Sequence, residues 1–68
     1  MKWAAQQRQI FIKEFLDEYS CINRSDIIAK FSIGPAQATR DLQIYIKNNA
    51  EALVYNVTDK CYEKAETN

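Results

Sequence analysis

Two helical patterns are separated by a single turn in the stretch DIIAKFSIGPAQATRDL, residues 26–42. The first pattern runs from about Arg24 to Phe31, and the second runs from Pro35 to about Asn48. The turn between them, SIG, is followed by the chain's single proline. Proline suits the first position of a helix because its missing N–H would be unpaired there. The connection is therefore only three or four residues long, which is typical of a helix-turn-helix.

The first helix of this pair carries its own start signal. Asn23 is a good N-cap residue, and Asp26 follows three residues later as an acidic variant of the capping box. The apolar residues Ile27, Ile28 and Phe31 then predict the inward face of a short helix.

The second helix of the pair has two faces of different character. We expect Ala38, Leu42, Tyr45 and Ile46 to pack inward, with Ala38 small so that the two helices can approach closely. We interpret Asp41 as a member of an ion pair or a structural hydrogen bond rather than as a catalytic carboxylate. The opposite side comprises Ala36, Gln37, Arg40, Gln43, Ile44 and Lys47. Of these, Ile44 is interpreted as peripheral core, with a dimer contact as the alternative.

A longer helical pattern precedes the pair, from about Trp3 to Tyr19, and contains neither Gly nor Pro. Ile12 lies off the main apolar stripe, so we interpret it as peripheral core or as a contact with a second partner or subunit. Trp3 is interpreted as a lid over the core, with an anchor for a partner as the less favoured alternative. The main stripe comprises Ile10, Phe11, Phe15, Leu16 and Tyr19, and the solvated side comprises Lys13, Glu14, Asp17 and Glu18.

After the helix pair the pattern becomes that of a β-hairpin over about residues 53–63. The strand formers LVYN are followed by a polar tip and then by CYE, which alternates with period two. We interpret Tyr55 and Tyr62 as packing this hairpin against the core, with contact between one exposed tyrosine and a phosphate as the alternative. Residues 20–22 are compatible with a short strand between the first two helices. The predicted fold is therefore mainly α with a small β-hairpin, a winged helix-turn-helix.

Length and composition indicate one compact domain over residues 1–68. A chain this short buries only about 60% of its unfolded surface, so its 47% hydrophobic residues are needed for a single core. There is no histidine, which removes the usual general base and the commonest transition-metal ligand. We therefore expect no catalytic residues, no metal, no cofactor and no enzymatic activity.

The two cysteines, Cys21 and Cys61, are 40 positions apart and form no CxxC motif. This spacing is not that of a zinc site, and it is too sparse for a disulfide-stapled secreted scaffold. We interpret both as small buried thiols, with a redox pair across neighbouring strands as the less favoured alternative. No apolar run reaches the roughly 18 residues of a membrane span, so we expect a cytoplasmic protein without a membrane partner.

The helix pair resembles that of DeoR-like bacterial repressors, in which an aromatic, a small turn residue and an aliphatic precede a helix with an Asp-Leu pair. Here these are Phe31, Ser32, Ile33 and the pair at 41–42. A wider set of residues resembles the N-terminal domain of WYL-domain repressors that control phage-defence islands, the BrxR and CapW type. This set comprises Trp3, Arg8, Phe11, Ile12, residues 22–26, 35–38 and 41–42, Tyr45, and the hairpin residues 53–56 and 60–62.

This resemblance spans residues 3–62 and has two departures. Gly34 stands where such domains commonly have a serine cap on the recognition helix, which leaves backbone N–H groups free for a phosphate. The chain also ends where those repressors continue into dimerisation and WYL sensor regions. An excised domain and a free-standing relative both remain open, and ligand sensing is not carried over.

The architecture implies that the N-terminal half of the third helix enters the major groove of DNA. Gln37 would then read adenine, Arg40 would contact guanine or phosphate, and Pro35 and Ala36 would meet thymine methyl groups. The free N–H groups at 34–37 and the helix dipole favour a phosphate there. The complete set of predicted DNA-binding residues is Asn23, Arg24, Ser25, Gly34, Pro35, Ala36, Gln37, Thr39, Arg40, Lys47, Thr58 and Lys60.

Nine Lys+Arg residues balance nine Asp+Glu residues, so net charge alone does not indicate nucleic acid. The distribution of the charges along the chain is more informative than their sum, because three acids, Glu14, Asp17 and Glu18, lie on the first helix. The basic residues expected on the DNA side are Arg24, Lys30, Arg40, Lys47 and Lys60. We therefore predict sequence-specific binding of double-stranded DNA by a bacterial or phage transcriptional repressor that acts as a homodimer on an inverted repeat. The alternatives are a winged-helix protein-interaction module and, less favoured, an enzyme or metal protein.

Overall fold

The computed structural model describes residues 2–49 and 53–64. The elements are α1 (Trp3–Tyr19), β1 (Cys21–Ile22), α2 (Arg24–Phe31), α3 (Pro35–Asn48), β2 (Leu53–Asn56) and β3 (Cys61–Lys64). The prediction of a mainly helical fold with a small hairpin is confirmed.

Helix starts and ends follow local capping signals. The Asn23 side chain accepts a hydrogen bond from the backbone N–H of Asp26, whose carboxylate accepts one from the N–H of Asn23 at 2.9 Å. Ser20 and Ser32 end α1 and α2 in the left-handed conformation, with φ of 69° and 56°. Each donates its N–H to a carbonyl of the last helical turn, as in other left-handed C-caps. These caps let the chain reverse within a few residues.

The three strands form one antiparallel sheet in the order β1-β3-β2. The short strand β1 pairs with β3, so that Cys21 lies opposite Glu63 and Ile22 lies opposite Tyr62. The hairpin of β2 and β3 is the wing. Because β1 leads directly into α2, this pairing attaches the wing to the start of the helix pair.

The core is formed by residues from all three helices and β1. Ile12 is fully buried, so its interpretation as peripheral core or subunit contact is wrong. Ile12 and Leu16, four residues apart, face inward, whereas Ile10 and Tyr19 of the expected stripe are 43% and 63% exposed. The apolar arc of α1 is wide, and tertiary contacts decide which part of it faces the core. The central cluster comprises Ile12, Leu16, Ile22, Ile27, Ala38, Leu42 and Tyr45.

Two aromatic residues also differ from expectation. Trp3 is 73% exposed and is not a lid. It precedes Ile12 by nine residues, about two and a half helical turns, and therefore lies on the opposite side of α1. Tyr55 is 48% exposed and contacts the ring of Tyr62 at a centroid distance of 4.9 Å. Tyr62 packs against the core, whereas Tyr55, its cross-strand partner on β2, is about half exposed.

Candidate nucleic-acid interface

The exposed side of α3 is a continuous stripe of four side chains. Ala36, Arg40, Gln43 and Lys47 recur at steps of four, three and four residues, and all four are exposed. We call these residues the α3 outer face. The opposite side of the helix is buried through Ala38, Asp41, Leu42 and Tyr45. The α3 outer face therefore points away from the core, as a recognition helix requires.

Gln43 was not among the predicted DNA-binding residues, although it lies between Arg40 and Lys47 on the α3 outer face. Helical spacing alone could have identified it. Ile44, by contrast, is half-buried beside this stripe, in agreement with its interpretation as peripheral core.

Asp41 connects α3 to α1 from inside the domain. Only 1% of its side chain is exposed, and its Oδ2 accepts a hydrogen bond from Nε of Arg8 at 2.6 Å. Nε2 of Gln9 donates to the backbone carbonyl of Asp41 at 2.9 Å. The interpretation of Asp41 as an ion-pair residue is confirmed, and its partners hold α3 at a fixed position on α1.

Gln37 lies at the edge of the α3 outer face rather than in it. Its side chain is half-buried, and Nε2 donates a hydrogen bond to Oδ1 of Asp41 at 3.1 Å. A bidentate contact with adenine needs this amide to donate to the base. Base reading by Gln37 therefore stays a prediction. It requires that the Gln37 amide exchange its hydrogen bond to Asp41 for one to the base.

A groove separates the start of α2 from the wing, with α3 at its floor. We call it the wing groove. Arg24 and Lys60 supply its two cations, and no acidic side chain lines it among the described residues. The groove brings together five of the predicted DNA-binding residues. Its lining comprises Asn23, Arg24, Ser25, Thr39, Leu42, Tyr55, Lys60 and Tyr62.

Not every polar group in the wing groove is available to a ligand. The side-chain oxygen of Asn23 accepts hydrogen bonds from the N–H of Asp26 and from the hydroxyl of Ser25. Asn23 and Ser25 therefore shape the start of α2. Arg24 and Lys60 are exposed and remain the groove's cationic contacts.

Four further predicted DNA-binding residues also lie outside the wing groove. Gly34, Pro35 and Ala36 are exposed at the start of α3, where Gly34 provides no side-chain cap. Thr58 is exposed at the tip of the wing. Lys30, which was also expected on the DNA side, lies instead in a second groove with Glu14 and Glu18 of α1. The position of Lys30 therefore does not support the expectation that it lies on the DNA side.

Asn56 orders the tip of the wing and was missed by sequence reasoning. Its side-chain oxygen accepts hydrogen bonds from the N–H groups of Thr58 at 2.9 Å and Asp59 at 3.0 Å. This is the arrangement of an Asx turn. An asparagine just before a four-residue polar tip is a signal that could have revealed it. The turn positions Lys60, whose φ is 55°, at the edge of the wing groove.

Cys61 is buried, with 4% of its surface exposed, and Cys21 is half-buried. Both are free cysteines. Burial, followed by a hydrogen bond with the Cys21 thiol, raises the pKa of Cys61 to about 11. The expectation of small packed thiols therefore holds best for Cys61.

The raised pKa of Cys61 predicts a loss of stability in alkaline solution. The unfolded thiol ionises near its ordinary pKa, whereas the folded thiol keeps its proton until about pH 11. Its stabilising contribution is complete below pH 9.0 and is lost as the pH rises towards 11, a change of roughly 2–3 kcal/mol. Urea denaturation at several pH values measures this loss. The Cys61→Ser variant should lose less stability over the same range, and parallel pH profiles would contradict the assignment.

Within residues 2–49 and 53–64, no group of three or more His, Cys, Asp or Glu side chains is placed to hold a metal ion. Over the same residues, no helix has the length and apolar character needed to cross a membrane.

Comparison with known proteins agrees with the geometry of α3 and the wing. The profile of the BrxR transcriptional regulator winged helix-turn-helix domain matches residues 5–67. The chain is also 34% identical over 62 residues to a DNA-binding transcriptional repressor, CapW, of Stenotrophomonas maltophilia. That match covers 91% of this chain and 21% of the relative, so the chain spans about a fifth of the relative's length. The protein therefore belongs to the family of BrxR-type transcriptional regulator winged helix-turn-helix domains.

Proposed function

We propose that this domain binds double-stranded DNA sequence-specifically as the DNA-reading unit of a transcriptional repressor, with the α3 outer face in the major groove. The observation that carries this proposal is the α3 outer face itself. It combines Arg40, Gln43 and Lys47, which are hydrogen-bond donors, on one exposed stripe without an acid. The major groove is about 12 Å wide and admits one helix, and such donors pair with guanine and adenine edges there.

The wing groove supports contacts with the flanking sugar-phosphate backbone. Arg24 and Lys60 face it from α2 and from the wing, so a strand passing between these elements meets a cation on each side. The uncapped start of α3 adds backbone N–H groups and the positive end of the helix dipole. Zero net charge is compatible with this function because Glu14, Asp17 and Glu18 lie on α1.

One such domain reads few base pairs, so useful specificity requires two copies. We propose a homodimer on an inverted-repeat operator, with half-sites one helical turn or more of DNA apart. Repression then results from occupation of the promoter, without catalysis or a cofactor, in the cytoplasm. The family resemblance further supports phage-defence genes as the regulated targets.

The first test is the salt dependence of binding to a random-sequence DNA duplex, followed by fluorescence anisotropy. About five phosphate contacts predict that the logarithm of the binding constant falls with the logarithm of salt concentration with a slope near −4 to −5. Lys60→Ala should reduce the magnitude of this slope by about one, because one phosphate contact is lost. Lys13→Ala is the matched control, since it removes the same charge from α1 and should leave the slope unchanged.

A lack of binding at low salt and micromolar protein would contradict DNA binding. It would favour the alternative function, a winged-helix module that binds another protein. Equal slopes for wild type and Lys60→Ala would instead contradict the proposed contact at the wing groove.

A further inference from the structure

Cys21 and Cys61 occupy neighbouring strands on the same face of the sheet. Cys21 of β1 lies opposite Glu63 of β3, and Cys61 lies two residues from Glu63 along β3. Side chains two residues apart on a strand point to the same face, so the cysteines are diagonal cross-strand neighbours. Both cysteines are free, and the neighbouring Cys21 thiol contributes, after burial, to the raised pKa of Cys61.

The two thiols differ in their access to solvent. Cys61 is 4% exposed, whereas Cys21 is half-buried and within reach of a small reagent. A reagent that reacts with Cys21 therefore leaves a modified sulfur beside the shielded Cys61 thiol. This is the arrangement of an attacking and a resolving cysteine.

We propose that Cys21 and Cys61 are a reversible thiol–disulfide site that reacts with small disulfides of the glutathione type. The Cys21 sulfur attacks one sulfur of the reagent, and the reagent's S–S bond breaks to release one thiol. The Cys61 sulfur then attacks the Cys21 sulfur, and the second reagent thiol leaves. The protein loses two protons and two electrons, which convert the reagent disulfide into two thiols.

The position of this pair gives the bond a structural consequence. Cys61 directly follows Lys60 of the wing groove, and Cys21 lies two residues before Asn23 on the other wall. A Cys21–Cys61 bond would attach β3 covalently to β1 and so fix the wing relative to the start of α2. The site does not depend on the proposed DNA binding, and its chemistry is testable without DNA.

The test is equilibration of the reduced protein with equal millimolar concentrations of reduced and oxidised glutathione, followed by an acid quench and intact mass spectrometry. We expect the main product to be a monomer lighter by two hydrogen atoms, which excess reduced glutathione converts back. In urea that unfolds the chain, the equilibrium constant for ring closure should fall about tenfold, because the fold no longer holds the thiols together.

Two single variants provide the controls. Cys61→Ser should accumulate a glutathione adduct on Cys21, because the resolving thiol is absent. Cys21→Ser should react more slowly than Cys61→Ser, because the remaining thiol is buried. The proposal is overturned if the folded wild-type protein keeps both free thiols, if it stops at the glutathione adduct, or if ring closure is as favourable in urea as in the folded state.

Discussion

Replacing Asp41 with Ala is expected to lower the free energy of unfolding by about 3–5 kcal/mol. The Asp41 side chain is 1% exposed, and its removal leaves Arg8, whose side chain is only 14% exposed, without its counter-charge. The Gln37 amide also loses its acceptor. A domain of 68 residues has a total stability of roughly 3–10 kcal/mol, so the variant should lose a large fraction of its stability. Urea denaturation followed by far-UV circular dichroism measures the change.

Two further variants separate this buried pair from a general effect of charge. Asp17→Ala removes an exposed carboxylate that pairs with Lys13 at 3.0 Å on the surface of α1, and it should leave the denaturation midpoint unchanged. The double variant Arg8→Met with Asp41→Leu should recover most of the lost stability, because neither charge then remains unpaired. Equal midpoints for Asp41→Ala and Asp17→Ala would show that the Arg8–Asp41 pair does not hold α3 on α1.

Replacing Arg40 with Ala is expected to weaken binding to a cognate operator by about tenfold to a hundredfold. Arg40 lies in the middle of the α3 outer face, where its guanidinium can donate two hydrogen bonds to one guanine. The operator is first obtained by selecting duplexes from a random library with the wild-type protein. Fluorescence anisotropy on the selected duplex and on a scrambled duplex then gives both affinities.

Arg40→Lys and Lys13→Ala are the matched controls for this experiment. Arg40→Lys keeps the charge but loses the planar fork, so it should reduce the preference for the selected duplex more than the affinity for the scrambled one. Lys13→Ala should change neither affinity, because Lys13 lies on α1 beside Asp17. Similar losses for Arg40→Ala and Lys13→Ala would contradict base reading by Arg40.

Local sequence signals are sufficient for the helix pair because they act within a few residues. The reciprocal bonds of Asn23 and Asp26 start α2, and Pro35 starts α3. The alternation of exposed and buried positions along α3 also follows from helical geometry, which is why Arg40 and Lys47 could be placed on an exposed face from the sequence.

The same reasoning failed on α1 because its apolar residues cover too wide an arc. The stripe predicted from periodicity included Ile10 and Tyr19, which are exposed, and left out Ile12, which is fully buried. In the folded domain, Arg8 and Gln9 of α1 bond to Asp41 of α3, and Ile12 of the same helix is buried in the core. These partners are more than 30 residues apart in the chain, so no local pattern could indicate them.

The features of the candidate interface show the same difference between local signals and contacts across the fold. The helix pair, the hairpin and the exposed side of α3 could be predicted from the sequence, because capping, turn chemistry and helical periodicity depend on neighbouring residues. Three features depend on the folded arrangement: β1 pairs with β3, Arg24 and Lys60 face one groove, and Gln37 is bonded to Asp41. Such contacts join elements distant in the chain, and they form only when burial of a shared core brings those elements together.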